Sequence, residues 1–120
     1  MRAMILGDTH ANIYATVDAI LACESLDVHN IFQLGDFGYW EHAYLGKRFL
    51  NEVNNELKTR DIKLYFIDGN HENHSMLRGY PDLGGYSEIR SEIVYLHRGS
   101  IHKFGDKTVA CLGGAHNALS

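Results

Sequence analysis

Ile62-Lys63-Leu64-Tyr65-Phe66-Ile67-Asp68-Gly69-Asn70-His71-Glu72 is the stretch that decides the fold. A short, mostly apolar run closed by a glycine turn reads as a buried strand. An amide, an imidazole and a carboxylate then follow in succession. The same syntax occurs twice upstream. Residues 2–6 are apolar and short and end in Gly7-Asp8-Thr9-His10, and Asn30-Ile31-Phe32-Gln33-Leu34 ends in Gly35-Asp36-Phe37-Gly38.

Helical periodicity fills the gaps between these strands. Ile13, Val17, Ile20 and Leu21 recur at helical spacing, with Asn12 placed to cap the start. Leu45, Phe49, Val53 and Leu57 mark an amphipathic helix over residues 42–60. A short helix is expected from Glu72 to Leu77, and Gly79-Tyr80-Pro81-Asp82-Leu83-Gly84-Gly85 reads as a loop. A strand follows at Ile93-Val94-Tyr95-Leu96. Residues 100–104 and 108–112 then flank Gly105-Asp106 as a hairpin. The order is β-α-β-α-β, then strands ending in a β-hairpin. It predicts an α/β fold with a mainly parallel sheet, flanking helices and right-handed crossovers.

Composition narrows the function. The chain has 120 residues, a formal charge of −4, 45% apolar and 22% charged residues, which fits one globular domain spanning residues 1–120. A net acidic chain argues against nucleic-acid binding through a basic patch, but not against a phosphate held by a metal. No apolar run reaches the ~18 residues of a membrane span. The apolar stretch at the start is too short for a secretion signal, so no membrane association and a cytoplasmic location are expected. Two cysteines, Cys23 and Cys111, make no disulfide framework and read as free thiols in a reducing compartment.

In a parallel α/β sheet, function gathers just past the carboxyl ends of the strands. Those positions here hold Asp8, His10, Asp36, Asn70 and His71. One Gly-Asp after a strand is ordinary turn chemistry. Three strand ends carrying hard oxygen donors, two of them with histidine, point to a metal site. A donor set of oxygen and imidazole without thiolate suits Mn, Fe, Zn or Mg. Two cations about 3.5–4 Å apart clamp a phosphoryl group and lower the pKa of a water. The residues therefore predict metal-assisted phosphoester hydrolysis.

Gly7-Asp8-Thr9-His10, Gly35-Asp36 and Gly69-Asn70-His71-Glu72 resemble, in order and spacing, the first three motifs of the calcineurin-like metallophosphoesterases. Leu34-Gly35-Asp36-Phe37-Gly38-Tyr39-Trp40 and Leu112-Gly113-Gly114-Ala115 are similar to the small phage and bacterial members. The resemblance covers residues 2–115. It implies two divalent metal ions, the first bound by Asp8 and His10, the second by Asn70, with Asp36 bridging both. It makes His71 a catalytic acid or charge stabiliser at the phosphoryl or leaving-group oxygen. Glu72 would orient His71 or cap the helix after it. The implied fold is the amino-terminal half of a two-sheet sandwich.

The chain departs from the family pattern in two places. It contains no Gly-His dipeptide, so the family's later Gly-His and Gly-His-x-His motifs have no counterpart, and Ala11 stands where glycine is usual. Three explanations stay open: a truncated part of a longer enzyme, a domain that lost catalysis and acts through binding, or a short active form completed by another chain or by a spare histidine such as His116. Manganese is among the expected metals. The expected substrate is a phosphodiester or nucleotide, as a small molecule or nucleic-acid diester, rather than a phosphoprotein. Sheet left uncovered predicts a homo-oligomer or larger complex. Tyr39 and Trp40 directly follow the second motif and are placed to stack a base or to pack under the next helix. His74 shares a face with His71 if that segment is helical and reads as solvent-exposed, whereas His29, His42, His97 and His102 have no motif context.

Overall fold

Alternating strands and amphipathic helices build the architecture that the sequence predicts. The structure, a computed structural model, describes residues 2–7, 13–34, 44–67, 80–97 and 99–111. The helices are α1 (Ile13–Ser25) and α2 (Tyr44–Thr59). The strands are β1 (Met4–Leu6), β2 (Asn30–Gln33), β3 (Lys63–Phe66), β4 (Tyr86–Arg90), β5 (Ile93–Leu96), β6 (Ile101–Phe104) and β7 (Lys107–Ala110). One sheet has the order β1-β2-β3-β5-β4, and β6 and β7 form a separate antiparallel pair. β1, β2, β3 and β5 run parallel, with β4 antiparallel at the edge. The expected short helix after Glu72 lies outside the described residues.

Burial explains which residues form which element. On α2, Phe49, Leu50, Val53 and Leu57 face inward, at the spacing a helix needs for one apolar stripe. On α1 the inward residues are Thr16, Ile20 and Cys23, while Leu21 faces out. The expected stripe on α1 is thus rotated. Its sequence is apolar on nearly every side, so periodicity alone does not choose the face. Ile31, Leu64, Phe66, Ile93 and Tyr95 of the sheet pack against these two helices in one core cluster. The opposite sheet face carries a second cluster of Phe32, Val94, Leu96 and Cys111, met by Phe104 and Val109 of the hairpin. The Phe32 and Tyr65 rings stack at 5.3 Å, and Phe104 meets them edge-on at 5.0 and 4.9 Å. β5 is buried on both faces, as a central parallel strand must be.

β4 was not expected from the sequence. Tyr86-Ser87-Glu88-Ile89-Arg90 has one aliphatic residue, so it shows no apolar run. Its inward positions are Ser87 and Ile89. The register shifts between Glu88 and Arg90, and side chains of α2 secure the turn into β5. Asn54 accepts from the Glu92 amide at 2.8 Å and donates to Ser91 at 3.1 Å, and Arg90 donates to Asn51 at 2.9 Å.

Both helices end in the same way. Asp27 and Asp61 take the left-handed conformation, with φ of 55° each. Val28 N–H donates to Cys23 O at 2.8 Å and Ile62 N–H to Leu57 O at 3.0 Å, closing a Schellman-type cap on each helix. His29 joins the two caps. Its Nδ1 lies 2.9 Å from the Asp61 carbonyl and its Nε2 3.0 Å from the Asp27 carboxylate. The Asp61 carbonyl, followed by Asp27, pushes the His29 pKa up. A raised folded-state pKa means this stabilisation is complete below the unfolded value and fades as pH rises through the folded one. Cys23 and Cys111 are both free and buried, and burial pushes each thiol pKa up.

Two stability measurements test this account. Leu57 has no exposed surface, so Leu57→Ala should cost about 3 kcal/mol in denaturant unfolding, from lost burial plus the cavity left behind. Asp61→Gly keeps the backbone carbonyl that His29 uses and relieves the left-handed strain. It should raise stability by about 0.5–1 kcal/mol, since only glycine adopts that conformation freely.

Candidate functional site

Parallel pairing brings three chain exits together. Leu6 pairs with Gln33, and Gln33 with Phe66, so the last residues of β1, β2 and β3 form one row across the sheet. The ladder continues past the strand ends: Leu34 N–H donates to Leu6 O at 2.8 Å and Ile67 N–H to Gln33 O at 3.4 Å. Gly7, Leu34 and Ile67 therefore leave the sheet side by side. Both βα crossovers also start their helices at this end, and neither α1 nor α2 has an acidic residue in its first turn. The positive ends of two helix dipoles face this edge, which favours an anion there.

Gln33 is the unusual residue in the row. It is fully buried on the helix-covered face, flanked by Leu6 and Phe66. Its side-chain Nε2 donates to the Gly7 carbonyl. Among the described residues its Oε1 has no hydrogen-bond partner. A buried acceptor left unpaired costs about 1–3 kcal/mol, so such an atom at a strand exit marks a place where something else supplies a hydrogen.

His97 stands at the exit of β5, the fourth parallel strand. Its N–H donates to Gly85 O at 2.9 Å, and its ring lies 4.9 Å from that of Tyr95. Ser87 Oγ donates to the Pro81 carbonyl at 2.8 Å, so it accepts from His97 Nε2 at 2.7 Å. Asp82 faces Nδ1 at 3.8 Å. The Nε2 nitrogen is engaged, and Ser87 is buried with its proton committed. The cluster is thus a strut for residues 80–87 and not a nucleophile–base pair. The Asp82 carboxylate accepts from the Gly85 and Gly84 amides at 2.7 and 3.0 Å, which holds its pKa below the usual aspartate value.

A cavity of about 320 Å³ lies between the second sheet face and the hairpin, lined by Lys63, Tyr65, Tyr86, Leu96, His102 and Phe104. It involves none of Gly7, Leu34 or Ile67. Among the described residues no three His, Cys, Asp or Glu side chains come together as a metal site, and no helix is long and apolar enough to cross a membrane.

A sequence model described as calcineurin-like phosphoesterase matches residues 1–118. The chain belongs to the calcineurin-like phosphoesterase family. No curated protein and no solved structure matches it. The calcineurin-like phosphoesterases are metal-dependent phosphoester hydrolases, and the parallel α/β sheet with its added hairpin agrees with the fold expected from the resemblance. Asp8, His10, Asp36, Asn70 and His71 all lie outside the described residues, as do Tyr39, Trp40, His74 and His116. The stems that lead to them are described: Asp8 follows Gly7, Asp36 follows Leu34 by two positions, and Asn70 follows Ile67 by three.

Two residues were missed in sequence. Gln33 is a single polar residue between the apolar Ile31-Phe32 and Leu34, which by itself carries no pattern. His97 directly follows an apolar strand, the same placement that singled out the motif residues. The Asp82 turn gives a pH test. A lowered folded-state pKa means its contribution is complete above the unfolded value and is lost as pH falls through the folded one. NMR should show the Asp82 carboxyl titrating below free aspartate, with the Gly84 and Gly85 amides moving at the same midpoint. In Asp82→Asn that shared transition should vanish.

Proposed function

We propose that this chain is a divalent-metal-dependent phosphoester hydrolase of the phosphodiesterase or nucleotide-directed class, working through a dinuclear site. The family match supports the reaction class, and the side-by-side exits of β1, β2 and β3 are the observation that carries the site. Each exit lies within three residues of a hard donor in the chain. Asp8 and His10 would hold one metal and Asn70 the other, with Asp36 shared between them. Manganese, iron, zinc and magnesium all suit this oxygen and imidazole set. The buried, unpartnered Oε1 of Gln33 beside Gly7 fits a centre at this edge, because it is an acceptor that the described residues leave unused.

The cations, when bound, supply positive charge to the phosphoryl oxygens and acidify a water. The chain's own residues do the rest. Asp36 contributes the carboxylate charge that lets two cations share a small space. His71 is assigned to the leaving-group side, where an imidazolium donates a proton to the departing oxygen. The amino termini of α1 and α2, with no acidic residue in their first turns, add favourable potential for a phosphoryl anion.

Residues 1–120 are assigned to one domain in the cytoplasm, and self-association is part of the proposal. β1 is an edge strand of three residues with Ile5 at 69% exposure, an edge that a second chain can cover. The second reading is a domain that acts only by binding.

Metal stoichiometry after Mn²⁺ loading and desalting separates the two. The hydrolase reading expects bound metal in the wild type and its loss in Asp36→Asn, with turnover of a phosphodiester falling by about three orders of magnitude or more, because the bridging charge stabilises the transition state. Unchanged turnover in Asp36→Asn sinks the dinuclear assignment. A wild type that binds no metal favours the binding reading.

A further inference from the structure

Gln33 occupies a position where an apolar side chain would pack without difficulty. Its row neighbours Leu6 and Phe66 are apolar, the preceding inward residue on the strand is Ile31, and the helices cover this face. Yet the position holds a fully buried carboxamide. Its Nε2–H is spent on the carbonyl of Gly7, the carbonyl of the peptide that enters Asp8. Gly7 is exposed, and a Cβ there would touch nothing within 4 Å. Among the described residues, the Gln33 side chain is the group that bonds to the Gly7 carbonyl. The plane of a carboxamide is rigid, so the bond to Gly7 also fixes where Oε1 sits. That atom is buried and unpartnered among the described residues.

We propose that Gln33 is a positioning residue of the metal centre: through the Gly7 carbonyl it sets the peptide that presents Asp8, and through Oε1 it accepts a polar hydrogen from the donor set or from a water held with it. The inference rests on the metal reading above and deepens it. A buried group that hydrogen-bonds to the chain beside a ligand restricts how that ligand is presented, and removal of such partners weakens metal binding by about 10–100-fold. The amide touches no reacting atom in this role. It acts through Asp8.

Gln33 is the only glutamine in the sequence. Protein labelled with ¹⁵N-glutamine therefore reports one side-chain amide pair and no other. Titration of the wild type with Zn²⁺, which is diamagnetic, should shift this pair saturably, and the shift should be absent in Asp36→Asn. In parallel, Gln33→Met should weaken Mn²⁺ binding about 10–100-fold by calorimetry, while its thermal unfolding without metal stays level or rises. Ile31→Val, a core trimming on the same strand and face, should leave Mn²⁺ affinity unchanged. A merely structural Gln33 would reverse that pattern, with stability moving and affinity not.

If Gln33→Met does not fold, the labelled wild type decides alone. An amide pair that stays still on a chain that binds metal overturns the inference and leaves the metal reading standing. A wild type that binds no metal overturns both.

Discussion

The row Leu6–Gln33–Phe66 is the constraint on which the rest of the structure depends. Three parallel strands end level with one another because their backbone ladders are in register there. A one-residue slip of β2 would turn Ile31 and Gln33 to the hairpin side and Phe32 to the helix side, exchanging the contents of two cores. The register is thus set by burial on both faces at once: Ile31, Leu64 and Phe66 against the helices, and Phe32 and Tyr65 against Phe104. The function assigned to the strand exits inherits its alignment from this packing. Donors carried on loops can be precise only if the stems beneath them are rigid.

The helix ends extend the same logic to the far edge of the sheet. Each crossover must stop its helix, reverse, and feed the next strand in register. Left-handed Asp27 and Asp61 make the reversals, and His29 bonds to both, tying the turn before β2 to the turn before β3. The starts of adjacent strands are fixed relative to each other by one imidazole. Its protonated form satisfies both contacts, because each ring nitrogen then donates. The clamp and the candidate site lie at opposite ends of β2, and at the amino end the His29 ring adds to the backbone ladder, where Lys63 N–H donates to His29 O at 3.0 Å.

Much of this was legible in the sequence because the relevant signals are local. Apolar runs closed by glycine located β1, β2 and β3, and the Phe49, Val53, Leu57 period located α2. The donor residues stood out because they recur after each run. β4 was not legible. An edge strand needs only one buried face, and Ser87 fills part of that face, so no hydrophobic pattern announces it. The inward face of α1 was not legible either, since a helix apolar on most sides has its orientation chosen by what it packs on. Gln33 escaped because a single polar residue inside a strand carries no pattern, and only the fold shows that its position is buried. The donors themselves lie outside the described residues, and their assignment continues to rest on spacing and family membership.

Gln33 also shows how stability and function pull apart in one residue. A core optimised for stability alone would place an aliphatic side chain between Leu6 and Phe66, gaining burial and removing an unpaired acceptor. Natural chains break such local rules mainly where a site demands it. The Asp82 strut makes an instructive contrast. There too polar groups are brought inward, with Ser87 fully buried, but its hydroxyl is paired on both sides and His97 closes the arrangement. That cluster is satisfied and secures a loop. Among the described residues the Gln33 amide is half satisfied, at the edge where three donor-bearing segments leave the sheet. A buried polar group with all partners in place explains itself by structure, and one left half paired among the described residues is the kind of departure that calls for a test.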